Sequence, residues 1–203
     1  MSACCISADV YRRLWLLYLI ERFGQACMGA VRLQKVAYFA EEGQNLRPFI
    51  FRKAPYGPFS EELRDTLDQL QSMDFVVAEP LGKQGNRYRA VEAHDETCLH
   101  ARWLEAVDST VKAAIDKAHG TYGYMKEAAL VEAGHRIRGF GDATPYDVLL
   151  TATAPELVPV ALEEDECEEI ALSLSPAFVG VVRALADTDW ASSLEKVPLI
   201  EAG

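Results

Sequence analysis

From Asp9 to Phe23, Val10, Leu14, Leu17 and Tyr18 recur at helical spacing, and Trp15, Leu16, Leu19 and Ile20 widen the apolar stripe almost to the whole circumference. The pattern predicts a helix buried on most sides. After a break at Gly24, Leu33, Val36, Ala37 and Ala40 share one face of a second helix, Val31 to Glu42, which Gly43 stops. Pro48 to Arg52 is short, apolar and aromatic and reads as a strand that Pro55 to Pro58 ends. Ser60 is placed to cap a third helix, with Glu61 and Glu62 where the helix dipole favours anions and Leu63, Leu67 and Leu70 as its stripe. "DFVVAEP" and "NRYRAV" alternate around the polar turn "LGKQGN" and predict a hairpin, with Tyr88 on one face and Arg87 and Arg89 on the other.

Further on, Leu99, Trp103, Leu104, Val107, Val111, Ile115 and Ala118 predict one long helix from His94 to Ala118, and a second helical stretch runs to about Ile137. "RGFGDATPYD" supplies a turn and a helix start, with Thr144 as cap and Pro145 at the first position. "ELVPVAL" and "IALSL" read as short strands on either side of the acidic run "EEDECEE", and Ser175-Pro176 opens a terminal helix. The expected class is α+β, mainly α: a winged-helix-like N-terminal core over residues 1–91, with an appended helical and small β region, including a short hairpin, over 92–203.

Charge sharpens that division. Residues 1–91 hold 12 Lys/Arg against 10 Asp/Glu, whereas 92–203 hold 8 against 21, and the net charge of -11 disfavours indiscriminate nucleic-acid binding. No apolar run is long enough to span a bilayer, and the first residues lack the order of a secretion signal, so a cytoplasmic protein is expected. Five cysteines without a CxxC pair read as free thiols.

"RLQKVAYFAEE" followed by "FIFRKAPYGPFSEELRDTLDQL" resembles the Panacea (SocA-type antitoxin) and YwgA-like group of bacterial and phage proteins, over about residues 10–91. The resemblance rests chiefly on Leu33, Gln34, Lys35, Tyr38, Phe39, Tyr56, Gly57, Pro58 and Ser60. It implies a small winged-helix-like domain used for contact with other proteins, and an antitoxin-like function without catalysis or cofactor.

Candidate chemistry divides along the same lines. Tyr56-Gly57-Pro58 is a corner of the fold in which Tyr56 packs inward, or else a working surface in which Tyr56 and Lys35 flank a peptide groove with Tyr38 nearby. The run Glu163, Glu164, Asp165, Glu166, Glu168 and Glu169 is a solvated loop, or it docks with Phe178 on a basic partner such as a cognate toxin. A homodimer is a further possibility. The alternative function, a winged-helix transcription regulator, would use Arg52, Lys53, Lys83, Arg87 and Arg89 on phosphate. The third helix, rich in Glu61, Glu62, Asp65, Asp68 and Asp74, disfavours it. His94, Cys98, His100 and Asp95 lack an established metal spacing, no metal site is expected, and His119 and His135 read as cations near helix ends.

Overall fold

Ser7 ends the first strand, β1 (Cys4–Ser7), and starts the first helix, α1 (Ala8–Glu21), by accepting the Val10 N–H on its hydroxyl at 3.3 Å. The computed structural model describes residues 4–24, 28–80, 82, 85–91 and 99–177. Eleven of the fourteen residues of α1 are buried, as the nearly circumferential stripe requires, so this helix forms the axis of the core. Trp15 meets Phe49 edge-on at 5.6 Å.

A two-residue strand, β2 (Met28–Gly29), leads into α2 (Ala30–Glu41). The chain then makes a hairpin rather than a single strand: β3 (Phe51–Ala54) pairs antiparallel with β4 (Gly57–Phe59), Ala54 opposite Gly57. Pro55 and Tyr56 are the whole loop, and Gly57 takes the positive φ of 102° that closes it. Ser60 caps α3 (Glu61–Ser72) as expected, accepting Leu63 N–H at 3.2 Å. The second hairpin is β5 (Val76–Pro80) with β6 (Asn86–Ala90), and β2 joins β6 to give the strand order β2-β6-β5.

The second half departs from expectation in four places. The stretch expected as one helix to Ala118 is α4 (Leu99–Val107) and α5 (Ser109–Tyr122), because Asp108 adopts an extended backbone and accepts Thr110 N–H at 2.8 Å, starting a new helix. The residues from His94 to Cys98 lie outside the described ones. After α6 (Glu127–His135), Thr144-Pro145 opens no helix: the Asp147 carboxylate takes the Thr144 N–H at 2.7 Å and closes a turn instead.

The expected C-terminal hairpin is absent among the described residues. β7 (Val148–Leu150) pairs with β3, and β8 (Leu157–Val160) pairs with β1, each finding an N-terminal partner. Finally, the acidic run and "IALSL" form one helix, α7 (Glu164–Ser173), packed on β1 through Cys167 and Ile170. These contacts bring Cys4 and Cys167 to a Cα separation of 6.4 Å, within disulfide range, and the two are bonded, against the expectation of free thiols.

The class is thus α+β and mainly α, with three small antiparallel sheets among the described residues. Elements from both sides of residue 91 contribute to one hydrophobic core, with α2 packed on α5 and α6. No described helix is long and apolar enough to cross a membrane.

Candidate functional site

The two motifs that carry the family resemblance interlock. On α2, Gln34 donates its amide N–H to Ser60 O at 3.0 Å and accepts Ser60 N–H at 2.8 Å, so one side chain satisfies both backbone groups where β4 turns into α3. Lys35, next along, donates to Pro58 O at 2.8 Å. Its aliphatic stem runs between two glycines. A Cβ on Gly57 would lie 2.8 Å from Lys35 Cε, and one on Gly134 of α6 would lie 3.4 Å from Lys35 Cδ. At the hairpin tip, His135 Nε2 sits 3.2 Å from Pro55 O.

This framework borders a groove of about 290 Å³ between α2, the β3–β4 hairpin and α3. Ala30, Val31, Leu33, Phe59, Leu63 and Leu67 supply its apolar lining, and Tyr88 reaches it from β6. Tyr56 does not pack inward. It is 68% exposed and lines the groove at the hairpin tip, because a two-residue loop projects its second side chain away from both strands. Lys35 and Arg64 are the charged lining residues.

Lys35 is only 3% exposed, and burial lowers its pKa from 10.5 to about 8. Because the folded value lies below the unfolded one, the folded chain loses this proton first. Stability should therefore rise as pH increases from about 8 to 10.5, by roughly 3 kcal/mol from this group. Denaturant melts at pH 7, 9 and 10.5 should show that rise in the wild type and its loss in Lys35→Met.

Other predicted site residues are placed elsewhere. Tyr38 is a core residue, 3% exposed and edge-on to Phe51 at 5.4 Å, with its hydroxyl pushed up to about 12 by burial and then Glu42, so it offers no binding surface. The acidic residues Glu163, Glu164, Asp165, Glu168 and Glu169 are exposed at and after the start of α7, not on a loop, and the first turn suits anions there. Glu166 is ion-paired with Arg102. None of them lines the groove. Phe178 lies outside the described residues.

The cations proposed for phosphate contact are split between two sheets. Lys53 is consumed structurally, donating to Phe140 O and Ala143 O at 2.6 Å each and sitting 4.8 Å over the Phe140 ring. Arg52 donates to Tyr146 O at 3.4 Å, Arg89 pairs with Glu79 at 3.2 Å, and Arg87 is exposed. Lys83 lies outside the described residues. His119 is no helix-end cation: burial, then Arg22, lowers its pKa, and it packs edge-on to Phe23 at 4.6 Å. His100 bonds Glu21 at 2.7 Å, and no cluster of described residues is placed to hold a metal ion.

Sequence reasoning paired Tyr56 with Lys35 but missed Arg64, Leu67 and Tyr88. Leu67 and Tyr88 were legible as stripe and strand positions, but that they face one groove follows only from how α2, α3 and β6 are placed in the fold. No model of a known protein family and no curated protein matches the sequence.

Proposed function

We propose that the chain is a non-enzymatic, antitoxin-like binding module of the Panacea and YwgA-like kind, which engages a toxin or another bacterial or phage protein through the groove between α2, the β3–β4 hairpin and α3. The observation that carries this reading is an open apolar groove with a largely exposed tyrosine on its rim. A tyrosine brings a large apolar area with a polar tip on few rotatable bonds, and tyrosines are enriched among the residues that carry binding at protein interfaces. The mutual contacts of Gln34, Lys35, Pro58 and Ser60 support the family resemblance, since residues far apart in sequence form one local unit.

The element order α1, β2, α2, α3, β5, β6 and the sheet order β2-β6-β5 support a winged-helix-like reading of residues 1–91, with the β3–β4 hairpin inserted before α3. A DNA-reading helix at α3 would present exposed Glu61, Asp65 and Asp68 to phosphate, with Arg64 already paired to Asp65 at 3.0 Å. That repulsion favours a protein partner over nucleic acid.

The test is co-purification with the product of the neighbouring gene, followed by calorimetric titration. Tyr56→Ala, an exposed and fold-neutral change, should weaken binding by on the order of 10- to 100-fold. A neighbour that is neither toxic nor bound would sink the antitoxin reading, and unchanged affinity of the variant would remove the groove from it.

A further inference from the structure

We infer that the groove takes an acidic, amphipathic segment of the partner protein, with an Asp or Glu side chain of that segment set against Lys35 and Arg64 and its apolar side chains against Val31, Leu63 and Tyr88. The inference rests on the protein-binding reading above and adds the chemistry of the partner's contact segment. Charge complementarity carries it. In a chain of net charge -11, the groove lining contains Lys35 and Arg64 and neither Asp nor Glu. An ammonium has three N–H donors. The hydrogen bond of Lys35 goes to a neutral carbonyl, Pro58 O, and no ion pair among the described residues includes Lys35. A cation buried to 3% exposure without a counter-charge is complementary to an anion that arrives with the ligand. At the rim, Arg64 shares Asp65 at 3.0 Å yet keeps a side chain 54% exposed.

The backbone decides how the segment is read. In the β4-β3-β7 sheet, Lys53 directs its N–H and C=O to β7, where Asp147 O and Tyr146 N–H take them. Its opposite number on β4, Pro58, therefore turns outward. Proline has no N–H there, and its carbonyl is already held by Lys35. The edge beside the groove has no free backbone group for an added strand. Recognition falls to side chains, as when an amphipathic helix lies in a groove between helices.

The experiment is selection of random dodecapeptides, displayed with constant sequence at both ends, against the full chain. The expected consensus is an Asp or Glu flanked by aliphatic or aromatic residues. Affinity of the best peptide should fall at least tenfold on Arg64→Glu, a surface change expected to melt like the wild type. A similar fall is expected on Lys35→Met, on Tyr56→Ala and on replacing the peptide's own acid by its amide. A neutral or basic consensus still sensitive to Tyr56→Ala overturns the acidic partner while leaving the groove as a protein site. Tighter, Lys35-dependent selection from a library with free C-termini overturns it in favour of a terminal carboxylate. Absence of any peptide sensitive to Tyr56→Ala removes the protein-binding reading itself.

Discussion

Reducing the Cys4–Cys167 bridge, or replacing either residue by serine, is expected to cost the fold about 5 kcal/mol on chain-entropy scaling. The bridge closes a loop spanning 163 positions and so restricts nearly all of the unfolded chain. Domains of this size are stable by about 5–15 kcal/mol, so the loss is a third of the total or more. It should lower the melting temperature by roughly 10–20 °C. Scanning calorimetry with and without a phosphine reductant measures it. Alkylation of the unreduced protein should label exposed Cys5 and spare Cys4 and Cys167. Full labelling of all three, or an unchanged melting temperature, would show that strand and helix contacts alone hold the two ends.

The second large effect is at the hairpin. Gly57→Val is expected to destabilise by about 4 kcal/mol, combining a β-branched residue at a φ of 102° with a Cβ 2.8 Å from Lys35 Cε. The two parts can be separated. Gly57→Ala in a Lys35→Ala background should retain only the backbone cost, because the side chain it collides with is gone, so the two changes together cost less than their sum. Strict additivity would mean that the stem of Lys35 moves aside freely, and that Gly57 is required for the turn alone.

These two sites also mark the boundary of what could be read from the chain. The helices α1, α2 and α3 were legible from apolar residues at a period of 3.6, a single stripe in α3 and one widened almost to the whole circumference in α1, and β5 and β6 because alternation flanks a polar turn. The break between α4 and α5 was hidden: Val107 and Val111 stay in phase across Asp108, and only the Asp108-Ser109-Thr110 cap signature betrays it. In α7 the residues Ile170, Leu172 and Leu174 fit a strand, while Cys167, Ile170 and Leu174 fit a helix equally well. Burial decides, with Leu172 at 49% exposure and the other three at 5% or less. The partners of β7 and β8 were beyond reach, since pairing across more than ninety residues leaves no local trace. The groove was half legible. "LQK" and "YGPFS" announced a relation, but the outward aim of Tyr56 and the convergence of Arg64 and Tyr88 depend on how the hairpin and helices cross.

The antiparallel pairing of β1 with β8, in which Cys4 faces Val160, sets an order on the making of the protein. At about 5–20 residues per second, β1 leaves the ribosome on the order of ten seconds before its partner exists. During that interval α3 and β6 come to cover part of α1, α4 and α5 follow, and β8 is the last of these to be made. The thiol of Cys4 has to wait through the same interval, because its partner Cys167 follows 163 positions later.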